Sequence, residues 1–82
     1  MIYPRQIKAA RALLGISQAE LATAVGVGLA TVKRIEANSG ELRFRVETML
    51  RIKETLEERG VVFIDADKSH GPGVRLEDPG AR

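Results

Sequence analysis

The segment from Ser17 to Glu36 contains two short amphipathic helical patterns with only a glycine turn between them. Its apolar residues recur at the spacing that two crossing helices need for their buried faces. These residues are Leu21, Val25, Val27, Val32 and Ile35. Ala22 is small where the helices would approach most closely, and Gly26 lies where a tight turn needs positive φ without strain. This segment therefore predicts two crossing helices joined by a tight turn.

The first of these two helices has a clear start signal. Ser17 and Glu20 have the spacing of a capping box, in which each side chain accepts a hydrogen bond from the other residue's backbone amide. Gln18 is then held at an exposed helix start. Because small, glycine and branched apolar residues all lie at the required offsets, the pattern favours a helix-turn-helix motif. The alternative is an ordinary antiparallel helix pair, since many such pairs bind nothing.

At these residues the chain resembles the phage repressor and Cro class of DNA-binding proteins, often called XRE-type. The resemblance covers about residues 5 to 60. It is carried by the run from Arg11 to Ala22, by Gly26-Val27, by Thr31-Val32 and by Arg34-Ile35-Glu36. It implies a compact helical domain that binds operator DNA as a dimer and regulates transcription.

Four helices are predicted before residue 60. Pro4 suits a first helical position and Gly15 is a natural stop, so the first helix is expected from residue 4 or 5 to 14. The recognition helix should span about Leu29 to Ala37, after Gly28 at its N-cap position. The last helix is expected from about residue 46 to 59. Its apolar residues are expected to close the core: Val46, Met49, Leu50, Ile52 and Leu56.

Arg11 lies on the same predicted inner face of the first helix as Ile7, Ala10 and Leu14. A charge on a core-facing stripe needs a partner, unless its apolar stem lets the charged end reach solvent. Glu36 matches the position that pairs with this arginine in the resembled family. The resemblance therefore implies a partly buried ion pair between Arg11 and Glu36.

After Gly60 the pattern changes from helical to extended. Residues 61–64 are β-branched and aromatic, and a second short run follows a loop rich in Asp, Gly and Pro. We predict a two-stranded hairpin with two apolar faces, one of which would need cover from a second copy of the chain. The residues expected at this dimer interface are Val61, Val62, Phe63, Ile64, Val74 and Leu76.

Together these patterns predict a mainly α protein: a four-helix repressor/Cro-like helix-turn-helix domain with a C-terminal β-hairpin. The domain is expected over residues 1–60, the hairpin over 61–76 and a frayed tail over 77–82. A chain of 82 residues buries only about 60% of its unfolded surface, so a dimer would support a small core.

The net charge of +2 is too small to indicate nucleic-acid binding, but basic residues cluster around the predicted recognition helix. Arg43 and Arg45 follow it, in a loop that runs along the phosphate backbone in the resembled family. We expect both to contact phosphates, together with Gln18 and Thr31. Simple solubility is the alternative role of the two arginines.

By helical spacing, the outward residues of the recognition helix are Leu29, Ala30, Lys33 and Arg34, and we expect them to face the bases. The well-known phage repressors carry hydrogen-bonding side chains at the first two of these positions. Leu29 and Ala30 can contact only thymine methyl groups. Lys33 and Arg34 would therefore supply the hydrogen-bond readout, with guanine as the preferred partner.

Other classes of function are disfavoured. There is no cysteine and a single histidine, His70, without neighbouring ligands, so we expect no metal and no other cofactor. The few serines and His70 do not form a nucleophile, base and orienting group, so an enzyme is the weakest hypothesis. We expect no signal peptide before Pro4, and no apolar run approaches the roughly 20 residues that cross a bilayer. A cytoplasmic protein without a membrane partner is expected.

Three functions stay open. The first is a sequence-specific, repressor-like transcriptional regulator that binds operator DNA as a dimer, with the recognition helix in the major groove. The second is an antitoxin of a toxin-antitoxin pair, in which the same fold represses its operon while the tail binds a toxin. The third is a protein-interaction module that has lost DNA binding. The apolar pair Leu29-Ala30 favours this third function, and the nearby cations oppose it.

Overall fold

The computed structural model describes residues 2–37 and 45–79. Within these residues, four helices precede a two-stranded antiparallel sheet: α1 (Pro4–Leu14), α2 (Gln18–Val25), α3 (Leu29–Ala37), α4 (Val46–Glu58), β1 (Val61–Ile64) and β2 (Gly73–Leu76). The predicted mainly α fold with a C-terminal hairpin is confirmed. Arg43 and residues 80–82 of the predicted tail lie outside the described residues.

Local backbone signals set the ends of the first two helices. α1 ends at Gly15 with a φ of 69°, and α2 ends at Gly26 with a φ of 88°. Both values lie in the left-handed region that glycine adopts without a steric penalty. At the start of α2, the Glu20 amide donates to Ser17 Oγ over 3.0 Å, and the Ser17 amide donates to Glu20 Oε1 over 2.8 Å. This reciprocal pair is a complete capping box.

The core lies between the helices and one face of the hairpin. Each helix contributes residues that are almost completely buried, and the largest of these are Ile7, Leu21, Val32, Ile35, Ile52 and Leu56. The helical periodicity predicted this inward set, because residues three or four positions apart lie on one helical face.

In α4, two apolar residues lie outside the core. Met49, Ile52 and Leu56 are buried, whereas Val46 and Leu50 are 65% and 53% exposed. Val46 and Leu50 are four residues apart and share a face next to the buried one. The expectation that both close the core is therefore wrong. Apolar character alone did not show which of two neighbouring stripes faces inward.

The hairpin packs one face against the helices. Val61 pairs with Leu76 and Phe63 pairs with Val74, so these four side chains share a face, and all four contact the core. The opposite face carries half-buried Val62 and 38%-exposed Ile64 from β1, but glycine and an exposed arginine from β2. The outer face is thus apolar in β1 only.

Gln6 joins the hairpin to α1. Its Nε2 donates to Gly73 O over 2.9 Å and to Ile64 O over 3.3 Å, while its Oε1 accepts from the Tyr3 amide over 2.8 Å. The residue is only 4% exposed, and both ends of its amide have partners. A glutamine at the third position of a helix is a capping signal, which can predict the bond to the Tyr3 amide but not the bonds to the hairpin.

Candidate nucleic-acid interface

The connection between α2 and α3 is closed by backbone hydrogen bonds. The amides of Gly26 and Val27 both donate to Ala22 O, over 2.9 and 3.0 Å. Gly28 O then accepts from the amides of Thr31 and Val32, over 3.1 and 3.4 Å, which begins α3. Since Gly28 has no side chain, it cannot cap the first amides of α3 as serine or threonine would.

α3 has one buried and one exposed face. Val32 and Ile35 are each 1% exposed and pack against the core. The residues expected to face bases lie on the solvent side of the helix: Leu29, Ala30, Lys33 and Arg34. Leu29 is 39% exposed, so a large apolar side chain on this face is accessible to a partner. This face therefore presents two apolar side chains and two cations to an approaching molecule.

The residues expected on phosphates have different surroundings. Arg45 is exposed at the N-cap position of α4, and Thr31 is half-buried in the first turn of α3. Gln18 is half-buried, and its Nε2 donates to Glu36 Oε1 over 3.1 Å. The amide of Gln18 is therefore partly engaged within the protein. Arg43 lies in the part of the chain that the structure does not describe.

An ion pair connects α1 to the last turn of α3. Arg11 Nε donates to Glu36 Oε2 and Arg11 Nη2 donates to Glu36 Oε1, each over 2.9 Å. Such a bidentate pair restricts both the distance and the orientation of the two helices. Arg11 Nη1 also donates to Ile16 O over 3.0 Å. The two side chains are 18% and 3% exposed, so Arg11 turns inward.

Electrostatics keep this pair ionised. Burial opposes ionisation of Glu36, but hydrogen bonds from Arg11 and Gln18 outweigh it and hold the pKa of the carboxyl below its ordinary value. The hydrogen bond to Glu36 raises the pKa of Arg11. Both charges are therefore present at neutral pH. The charge of Arg11 offsets that of Glu36 at the end of α3.

A side chain from α4 also reaches the α2–α3 turn. Arg51 Nη2 donates to Val25 O over 2.8 Å and to Gly26 O over 3.4 Å. In the sequence Arg51 belongs to a helix with charges of both signs, which is typical of a solvated face. No sequence pattern distinguished it from its neighbours.

The hairpin loop contains the single histidine of the chain. Asp67 Oδ1 accepts from the amides of Ser69 and His70, over 2.8 and 2.7 Å, and these bonds lower the pKa of Asp67. His70 is exposed and its Nδ1 lies 3.3 Å from Asp67 Oδ1. Within residues 2–37 and 45–79, no group of three or more His, Cys, Asp or Glu residues could hold a metal ion. In the same part of the chain, no helix has both the length and the apolar character needed to cross a membrane.

Comparison with known protein families matches the helical part of the chain. A family model described as Helix-turn-helix, of the XRE type, matches residues 7–60. The match begins within α1 and ends immediately before β1. No curated protein matched the chain.

Proposed function

This chain belongs to the XRE-type helix-turn-helix family, and from that membership we propose that it is a sequence-specific transcriptional regulator. It binds operator DNA with α3 in the major groove, in the manner of a repressor. The observation that carries the proposal is the exposed face of α3, where Lys33 and Arg34 lie beside Leu29 and Ala30. A cytoplasmic location, in contact with the DNA that it binds, is part of the proposal.

Base readout is divided between two kinds of contact. Leu29 and Ala30 contact thymine methyl groups, which favours A·T pairs at the positions they cover. Lys33 and Arg34 donate to guanine O6 and N7, the acceptor pair that basic side chains prefer in the major groove. The expected operator half-site therefore combines thymine with guanine.

Phosphate contacts supply the part of the affinity that does not depend on the DNA sequence. Arg45 is exposed at the start of α4, and Thr31 lies at the edge of the exposed face of α3. We assign both to phosphates, together with Gln18 and Arg43. Each phosphate that a cation neutralises releases counterions, so binding should weaken steeply as salt increases.

We also propose that the protein binds DNA as a homodimer through its hairpin. The expected interface contained six residues, but four of them pack against the helices and are not free for a second copy: Val61, Phe63, Val74 and Leu76. Val62 and Ile64 on the outer face are the apolar side chains of β1 that a second copy could cover. A twofold dimer would place its two recognition helices about 34 Å apart, as successive major grooves require. The operator would then be an inverted repeat.

The test begins with enrichment of bound duplexes from a random pool by the unaltered protein. Lys33→Ala and Arg34→Ala should each reduce the preference for the enriched duplex about tenfold, the effect of losing one base contact. Lys68→Ala, in the exposed hairpin loop, is the matched control because it removes the same charge away from α3. Equal binding of all duplexes by the unaltered protein would contradict sequence-specific regulation.

Two alternative functions predict different results in binding experiments. A protein-interaction module, which the exposed Leu29 and Ala30 would favour, should bind no duplex at salt concentrations where charge attraction is screened. An antitoxin should bind DNA and also form a stable complex with the product of an adjacent gene. Co-purification from the native host would identify that partner.

A further inference from the structure

Arg51 connects α4 to the carboxyl end of α2. Its Nη2 donates to two successive carbonyl oxygens, Val25 O over 2.8 Å and Gly26 O over 3.4 Å. The last carbonyls of a helix lack partners within the helix, and the helix dipole concentrates negative partial charge there. A guanidinium at this position satisfies the carbonyls and also complements their charge.

The same nitrogen fills the space beside the turn glycine. A Cβ added to Gly26 would lie 3.1 Å from Arg51 Nη2, tighter than ordinary van der Waals contact. The turn is therefore constrained both by the left-handed conformation of Gly26, with a φ of 88°, and by a side chain packed against it. Gly28, which follows, offers no side chain to fix the start of α3.

We propose that Arg51 is a positioning residue for DNA recognition: it fixes the angle at which α3 leaves α2, and so aims Lys33 and Arg34 at the bases. This inference rests on the proposed function. Hydrogen bonds to base edges depend strongly on distance and angle, whereas attraction to phosphates tolerates small displacements. Loss of the Arg51 contact should therefore weaken specific binding more than non-specific binding.

A direct phosphate contact by Arg51 is the competing explanation, because the residue as a whole remains exposed. The two roles differ in their salt dependence. Loss of one phosphate contact makes the fall of log affinity with log salt less steep, by about 0.9, and weakens binding to all sequences alike. A positioning residue leaves that slope unchanged and lowers only the preference for the operator.

The experiment compares Arg51→Met, which keeps an apolar stem but removes charge and donors, with Arg51→Lys, which can still donate to Val25 O. Lys53→Met is the matched control, because it removes one charge from the same helix and breaks only the exposed Lys53–Glu57 pair of 3.1 Å. Affinity is measured over a range of salt for the duplex that the unaltered protein enriches and for a mixture of random duplexes. Amide hydrogen exchange is followed in parallel.

We expect Arg51→Met to lower the ratio of specific to random affinity about tenfold with an unchanged salt slope. Exchange should accelerate at residues 26–32 while the amides of buried Ile7 and Ala10 stay protected. Arg51→Lys should recover most of the ratio, and Lys53→Met should leave it unchanged.

Three results would overturn the positioning role of Arg51 but leave the proposed function intact. They are an unchanged affinity ratio in Arg51→Met, a weaker salt dependence with an equal loss of affinity for all duplexes, and faster amide exchange throughout α1 as well as at residues 26–32. The last would mean that Arg51 supports general stability. A parent protein that enriches no duplex would overturn the proposed function and, with it, this inference.

Discussion

Gln18 Nε2 donates to Glu36 Oε1 over 3.1 Å, which holds the first residue of α2 against the last turn of α3. The same carboxylate accepts two hydrogen bonds from Arg11 of α1. One buried carboxylate therefore joins three helices, including the proposed recognition helix. Stability and DNA recognition should both depend on it.

Removal of one partner of the Arg11–Glu36 pair should destabilise the fold. Glu36 is 3% exposed, so Arg11→Ala leaves a buried carboxylate without its main partner, at a cost of about 3 kcal/mol in the free energy of unfolding. Chemical denaturation measures this change. Lys53→Ala is the control, because it disrupts an exposed pair and should cost about 1 kcal/mol or less. A double-mutant cycle with no coupling between Arg11 and Glu36 would contradict the prediction.

Acid should weaken the fold through Glu36. Its pKa is lower in the folded protein than in the unfolded chain, so the unfolded state binds the proton more readily. The stabilisation is present above the unfolded pKa of about 4.3 and is lost as the pH falls towards the lower folded value. The free energy of unfolding, measured from pH 7 downward, should therefore decline below about pH 5.

Glu36→Gln should flatten this decline, since it removes the titrating group. Glu20→Gln is the comparison: the pKa of Glu20 is also lowered, by hydrogen bonds with the Ser17 amide and hydroxyl, but this carboxyl is exposed. The Glu36 contribution should persist in that variant. An equally steep acid dependence in Glu36→Gln and the unaltered protein would refute the assignment.

Loss of the Gln6 amide should loosen the hairpin. Gln6→Leu keeps a similar volume but leaves Gly73 O and Ile64 O without their side-chain donor, at a cost of about 1 to 3 kcal/mol. Amide exchange should accelerate at residues 61–64 and 73–76 before it does in the helices. Arg5→Ala, an exposed change in the same helix turn, should alter stability by no more than about 0.5 kcal/mol. Unchanged exchange in the hairpin of Gln6→Leu would contradict this role.

The proposed dimer should depend on the outer face of the hairpin. Val62→Ser with Ile64→Ser should shift the mass in solution towards the monomer, because it removes apolar area that a second copy would bury. Leu50→Ser is the matched control, since Leu50 is a 53%-exposed apolar residue on α4. These two substitutions test the interface more specifically than removal of all residues after Gly60, because removal would also take away buried Val61. A parent protein that is monomeric at micromolar concentration and protects only a half-site would exclude the dimer.

Features that depend on neighbouring residues in the chain could be predicted from the amino-acid sequence alone. The Ser17–Glu20 capping box joins residues three positions apart. The left-handed φ of Gly26 depends on that residue alone, because glycine has no Cβ. The change to an extended pattern after Gly60 likewise identified the strands without tertiary information. Such interactions form within a single turn or strand, so spacing and residue type were enough to predict them.

Packing between elements sets which side of each helix or strand faces inward and what its polar groups contact. Val46 and Leu50 are exposed although they are as apolar as buried Met49 and Ile52, because the docking of α4 selects one of two adjacent stripes. Gln6 and Arg51 bind backbone carbonyls in other elements, far along the chain from their own positions. These contacts depend on the angle and distance at which two elements pack, and no local pattern of residues specifies either quantity.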